Sequence, residues 1–254
     1  EALDDFHAPD AWYAEYGTTV SRALLAAPEV RAEVILGRDD REQIQTTGAY
    51  PFRCICSLSI TAANGKRYVG TGWLASPNLV ITAGHCVYMR RQGGWARAID
   101  VFPGRVGSTI PHAAQKSRLL NVSGCAHGGR PVDDYAAIVL DRPLGGELGW
   151  FGFDGEMSAS QLSRAVINVV GYPADKPGTM WGHARRLSQV REQELIYQND
   201  TYGGNSGGPV ILWDGTQGQV VGIHNYGDLS GNSATRINQT VGNKLVEWIG
   251  SAGS

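Results

Sequence analysis

The stretch Thr201-Tyr202-Gly203-Gly204-Asn205-Ser206-Gly207-Gly208-Pro209 sets one serine among four glycines, at the mouth of the β-rich run Pro209 to Trp213. Glycine tolerates left-handed backbone and lets another main chain approach closely. Taken alone, the stretch is a flexible turn, a phosphate-binding loop or the seat of a nucleophile. It lacks the lysine of a P-loop and the β-α-β surroundings of a dinucleotide site. Two further segments bear on the choice. Ile81-Thr82-Ala83-Gly84-His85-Cys86 is a strand that ends in a histidine. Asp133-Asp134-Tyr135-Ala136-Ala137-Ile138-Val139-Leu140 is an acidic pair that enters an apolar strand.

Each of these has a bland reading by itself: a packed histidine, a solvated acidic turn. Together they make one chemistry. A serine hydroxyl is a weak nucleophile until a base takes its proton, and the base must be oriented by a third group. His85 can be the base, Asp134 its orienting carboxylate and Ser206 the nucleophile, in the chain order His, Asp, Ser. The backbone N–H groups of Gly204 and Ser206 can then converge on the developing oxyanion.

The rest of the chain is compatible with this. Its 254 residues are 42% hydrophobic and 18% charged, the balance of a globular protein rather than a disordered one. A net charge of −2 with scattered basic residues gives no reason to expect nucleic acid. No apolar run is long enough to span a membrane as a helix. The opening Glu1-Ala2-Leu3-Asp4-Asp5 has no signal-peptide regions, so the chain is cytosolic or has lost a leader, and the missing initiator Met favours the second. Short β-rich runs cover Phe52 to Ile60, Arg67 to Leu74, Leu79 to Ala83, Ala136 to Leu140, Ala165 to Gly171, Pro209 to Trp213 and Gln219 to His224. With 34 glycines in the chain and turn signals between the runs, they indicate a barrel or sandwich. Apolar residues from Val241 to Ile249 recur at helical spacing, with Asn238 or Thr240 as cap. Residues 8 to 36 suggest one or two amphipathic helices around Trp12, Tyr13, Leu24 and Leu25. Cys54 and Cys56 point to opposite faces of a strand and cannot bridge each other. Cys86 with Cys125 is one pairing; buried free thiols are the other.

Thr82-Ala83-Gly84-His85-Cys86 and Gly204-Asn205-Ser206-Gly207-Gly208-Pro209 resemble the signatures of trypsin-like serine peptidases. The likeness tightens to bacterial glutamyl endopeptidases through Gly171-Tyr172-Pro173-Ala174-Asp175-Lys176-Pro177, Thr179-Met180-Trp181 and Asp200-Thr201-Tyr202-Gly203-Gly204. It covers roughly residues 34 to 250. The resemblance implies an all-β fold of two perpendicular six-stranded antiparallel barrels, chymotrypsin-like, with a C-terminal helix. It implies a secreted endopeptidase acting on protein or peptide substrates, a monomer, with no metal or cofactor. It also places Thr201 and His224 on the wall of a pocket for an acidic side chain, where a hydroxyl and an imidazole can donate hydrogen bonds. Asn225, Tyr226 and Tyr202 line the substrate groove in this reading. An enzyme selective for lysine or arginine would want an acid at the base of that pocket, and Asn199 or Asp200 falls at the corresponding position.

Two departures accompany the resemblance. Many relatives bridge the cysteine after the histidine to one in the preceding strand, and Gly70 occupies that place here. Residues 1–33 form an extension before the peptidase domain of residues 34–254. In the family such an extension is removed, and the freed amino group helps to bind the acidic side chain. Because Glu33 precedes Val34, an enzyme that cuts after glutamate could release the extension itself. Exfoliative toxins, another branch, keep an N-terminal helix that Ala11-Trp12-Tyr13-Ala14-Glu15-Tyr16-Gly17 resembles. A latent zymogen, a non-catalytic binding protein on the same fold and a protease of other specificity are the alternatives.

Overall fold

The computed structural model describes residues 33–121, 131–213, 217–228 and 231–253. The expected N-terminal helices and Cys125 lie outside the described residues. After a two-residue strand β1 (Glu42–Gln43), the chain forms β2 (Ile55–Thr61), β3 (Arg67–Ser76) and β4 (Leu79–Thr82). A short ribbon, β5 (Tyr88–Met89) with β6 (Gly94–Trp95), precedes β7 (Ala98–Pro103), β8 (Ala114–Asn121) and β9 (Ala136–Leu140). Strands β2-β3-β4-β9-β8-β7 close into an antiparallel barrel.

The second half follows with β10 (Gly152–Phe153), β11 (Val166–Gly171), β12 (Trp181–Val190), β13 (Glu194–Tyr197), β14 (Pro209–Trp213), β15 (Gly218–Asp228) and β16 (Gly231–Arg236). The order β12-β11-β14-β15-β16-β13 is closed by pairing of β12 with β13, giving a second six-stranded barrel. The expected chymotrypsin-like pair of barrels is therefore present.

Alternation builds these walls. In β2, Cys56, Leu58 and Ile60 alternate with Ser57 and Ser59, the period-2 pattern of a strand with one face on a core. Opposite them, Gly72 lies where a Cβ would stand 2.5 Å from Val80 Cγ1, so only glycine lets β3 and β4 pack at this distance. The second barrel buries Ile167, Val169, Leu195, Tyr197, Val210 and Val221.

The terminal helix spans Gln239–Ala252, and Asn238 rather than Thr240 caps it, its Oδ1 accepting from Val241 N–H at 3.1 Å. Val241, Leu245 and Trp248 join the core cluster that fills the first barrel. Asn78 Nδ2 donates to Ala252 O at 2.5 Å and ties the helix end to the β3–β4 turn. The helix that follows the second barrel thus packs on the first. Between them, Thr71 on β3 donates its N–H to Ser206 O at 2.9 Å.

Candidate active site

His85 lies in one helical turn, Gly84–Val87, that follows β4. Its main-chain N–H donates to Asp134 Oδ1 at 2.7 Å, and its ring Nδ1 meets Asp134 Oδ2 at 2.7 Å. Asp134 precedes β9, the neighbour of β4, so barrel pairing brings the two together. The carboxyl is buried. Burial alone would raise its pKa, but the His85 charge and hydrogen bonds, with one from Tyr226, hold it below the ordinary value. Burial likewise disfavours a charged His85 ring, yet Asp134 above all, with Cys86, keeps the imidazole well above its usual pKa. The Tyr226 ring lies 5.6 Å from that of His85.

Ser206 sits in a loop stitched on all sides. Gly207 N–H donates to His224 O at 2.7 Å, and His224 N–H donates to Gly208 O at 2.9 Å. Thr71 Oγ1 donates to Gly204 O at 2.7 Å and accepts from Tyr172 N–H at 2.9 Å. Two glycines here are required by shape. Gly207 has φ +86° and a Cβ on it would meet Thr82 Oγ1 at 2.1 Å; at Gly204, φ +97°, it would meet Tyr172 O at 2.6 Å. Gly203 O accepts from Ala174 N–H at 2.6 Å, which fixes the peptide plane that carries the Gly204 N–H.

A buried polar pocket adjoins the serine. His224 is fully buried, and its Nδ1 meets the Tyr197 hydroxyl at 2.6 Å. Burial, with Glu33 and Glu194 nearby, pushes the Tyr197 phenol far up, so it keeps its proton and donates to Nδ1. With Nδ1 taking that hydroxyl, the other ring nitrogen, Nε2, stands 3.5 Å from Glu33 Oε1. The same Glu33 oxygen accepts from Ser206 Oγ. Thr201 Oγ1 is buried with no hydrogen-bond partner among the described residues. Asn232 grips Val34 from both sides: its Oδ1 accepts from Val34 N–H at 2.9 Å and its Nδ2 donates to Val34 O at 2.7 Å. Thr201 N–H adds a bond to Val34 O at 3.2 Å.

The acids and amides at the corresponding base position face elsewhere. Asp200 accepts Leu36 N–H on Oδ1 at 2.7 Å and Asp40 N–H on Oδ2 at 3.0 Å, anchoring the segment before β1. Asn199 Nδ2 donates to His183 O at 2.5 Å. Asn225 is buried, and its amide donates to Thr235 Oγ1 at 2.8 Å across the β15–β16 bulge, so its side chain is turned to the neighbouring strand. Asp40, His183 and Asp200 bring donor atoms within 4.8 Å of one another, but His183 Nδ1 also accepts from Asp200 N–H at 2.9 Å, in keeping with burial lowering its pKa. A groove of about 580 Å³ walled by Tyr50, Asn168, Val170, Ile211 and Trp213 contains neither Ser206 nor the pocket.

Sequence reasoning singles out His85, Asp134, Gly204, Ser206, Thr201, His224 and Tyr226; His85 meets Asp134 and Tyr226, and Ser206 and His224 both face Glu33 Oε1. That reasoning misses Tyr197, Asn232 and Thr71. None stands in a motif: Tyr197 acts from β13 and Asn232 from β16, and their pairing at positions 197 and 232 becomes visible only with the strand register.

Cys54, Cys56 and Cys86 are buried free thiols. A Cβ on Gly70 would stand 3.0 Å from Cys86 Sγ. That is about the Cβ-to-distant-sulfur span of a disulfide with an S–S bond of about 2.04 Å. Gly70→Cys is therefore expected to bridge to Cys86 in oxidising buffer. Closing a loop of about 17 residues adds roughly 3 kcal/mol, or about 6 to 12 °C in Tm. Melting with and without reductant measures it, and equal Tm values would exclude the bridge.

Comparison with known proteins places this geometry. Residues 70–223 match the model of the trypsin-like peptidase domain. A glutamyl endopeptidase of Bacillus licheniformis is 35% identical over 227 residues, covering 86% of this chain and 70% of its own. A protein of Bacillus subtilis named extracellular metalloprotease is 37% identical over 218 residues, 84% of this chain and 69% of its own. Among solved structures, a Glu endopeptidase superposes with TM-score 0.77 at 25% identity, covering 85% of this chain and all of the other. The protease Anisep of Arthrobacter nicotinovorans, at 18% identity and TM-score 0.68, shares the fold.

Proposed function

Because this chain belongs to the trypsin-like peptidase family and is a serine endopeptidase, we propose that it cuts polypeptides after acidic residues with His85, Asp134 and Ser206 as its triad. His85 Nε2 takes the Ser206 proton as Oγ attacks the peptide carbonyl carbon. The oxyanion that forms is met by the N–H groups of Gly204 and Ser206, an arrangement in which each donor is worth about 100- to 1000-fold in rate. The protonated His85 then delivers its proton to the leaving amine, and the acyl group stays on Oγ. Water, deprotonated by the same imidazole, attacks the ester; the acid product leaves and Ser206 regains its proton. Asp134 supports the imidazolium throughout. No metal or cofactor enters these steps.

One observation carries the choice of substrate. The polar side chains around the pocket are hydrogen-bond donors, His224 Nε2–H and Thr201 Oγ1–H, whereas the nearby acid, Asp200, has both oxygens bonded to backbone N–H groups. A carboxyl side chain meets donors in such a pocket; an ammonium or guanidinium group would find no free carboxylate there to offset its desolvation. Tyr226 lies beside His85, where a peptide would run in this reading. Secretion is part of this reading, supported by the relative named as extracellular. A monomer is the state we expect.

The test is competitive cleavage of matched peptides that differ only in Glu, Gln or Lys before the cut. The Glu peptide should be cut fastest. His224→Leu should lower kcat/KM for it on the order of 100-fold, the worth of a charge-assisted hydrogen bond of about 3 kcal/mol. It should change the Gln peptide far less. Equal losses on both peptides would assign His224 to the core rather than to recognition.

A further inference from the structure

Resting on the acidic-pocket reading above, we propose that the pocket is occupied in this chain by its own Glu33, whose carboxyl group holds the peptidase latent. A nucleophile must reach its substrate, yet Ser206 is only 2% exposed. What covers it is the Glu33 side chain, itself 2% exposed, whose Oε1 accepts the Ser206 hydroxyl and stands 3.5 Å from His224 Nε2. A single oxygen thus engages both the nucleophile and the donor that would read a substrate's acidic side chain.

The seating is that of a ligand and not of a substrate. The group at Ser206 is the Glu33 side chain. The peptide link after Glu33 leads instead to Val34, whose N–H and C=O are bonded to Asn232 and whose C=O also accepts from Thr201 N–H. That backbone clamp delivers the side chain into the pocket from the segment before β1, which Asp200 fixes through Leu36 and Asp40. Glu33 Oε2, Thr201 Oγ1 and His224 Nε2 remain without hydrogen-bond partners among the described residues. The contact is therefore a polar plug that leaves donors unused, and it can be displaced once the segment is released. Substrate and plug need the same place, so binding of one excludes the other.

The experiment compares full-length chains, wild type, Glu33→Ala and Glu33→Gln, each confirmed uncut by intact mass. A fluorophosphonate probe reports access to Ser206: Oγ displaces fluoride at phosphorus and its proton passes to His85. Cleavage of the Glu peptide is followed in parallel. Ser206 should be labelled at least about 10-fold faster in Glu33→Ala than in wild type, with Glu33→Gln between them because it keeps the bulk and loses the acid. Glu33→Ala should gain peptide cleavage by a similar factor. Equal labelling of all three intact chains, with the Glu peptide still cut, overturns the plug and leaves the proposed function standing. Fast labelling of Glu33→Ala without preference for Glu overturns the acidic pocket and the plug together. No labelling of any chain overturns the triad on which both rest.

Discussion

Ser206→Ala is expected to lower kcat about a million-fold without unfolding the protein. The size follows from the division of labour. Acyl transfer needs a nucleophile, and the Ser206 hydroxyl has that part in the proposed triad. The shape of the loop does not depend on that hydroxyl. Thr71 N–H bonds the residue's carbonyl, Gly207 and Gly208 bond to His224, and Gly204 O is held by Thr71 Oγ1. Alanine fits the same backbone, and the bond lost is the one to Glu33 Oε1, so thermal melting should move by no more than about 1 to 3 kcal/mol equivalent, the cost of leaving one buried acceptor unpaired. Residual hydrolysis of about a thousand-fold over water is expected from the remaining oxyanion donors and binding. Loss of activity with a collapsed melting curve would instead make Ser206 a structural residue.

Asp134→Asn comes next in size, at about ten-thousand-fold in kcat, with a diagnostic pH signature. Asp134 takes both the main-chain N–H and ring Nδ1 of His85 at 2.7 Å, so the carboxylate fixes the ring and supports its charge. An asparagine amide can offer an N–H to Nδ1, which selects the wrong tautomer and leaves no lone pair on Nε2 to accept the serine proton. The sign of the pH effect is set by the raised His85 pKa. In the proposed mechanism His85 is a base only when neutral, so activity is expected to climb as pH rises through that pKa. Removing the negative charge lets the pKa fall, and the acid limb of kcat/KM should shift to lower pH even as the plateau drops. A large rate loss with an unmoved limb would mean that Asp134 positions His85 without tuning it.

Local chemistry made part of this molecule readable from sequence. The strands ending at His85 and beginning after Asp134 carry apolar runs, Leu79 to Ala83 and Ala136 to Leu140, and both form as expected. The glycines around Ser206 announce a backbone that a Cβ would obstruct, and at Gly204 and Gly207 that holds. Other strands were silent. β12 reads Trp181-Gly182-His183-Ala184-Arg185-Arg186-Leu187-Ser188-Gln189-Val190, polar over most of its length because its outward face meets solvent. β16 reads Gly231-Asn232-Ser233-Ala234-Thr235-Arg236, small and polar yet almost wholly buried, so neither hydrophobicity nor alternation marks it. Closure of the two barrels depends on non-local pairing, β13 with β16 and β7 with β2, and no short window of sequence contains it.

The pocket shows the same division. Thr201 and His224 were named through family resemblance, whereas the groups that orient them come from elsewhere in the chain: Tyr197 sets the His224 tautomer, and Asn232 and Asp200 seat residues 34 to 40 beside it. In the sequence Glu33 stands as the residue before a cut. Its side chain bonded to Ser206 is a different role, one that depends on a contact across 173 positions in the chain.

The most direct measurement uses peptide phosphonate esters, which bond covalently to an activated serine, carrying either a glutamate or a lysine side chain at the reacting position. Incubated with full-length Glu33→Ala protein and mapped by mass spectrometry, the glutamate ester should modify Ser206, and the lysine ester should leave it largely free. Modification of another residue, or of Ser206 equally by both esters, would contradict the assignment of the nucleophile or of its acid-reading pocket respectively.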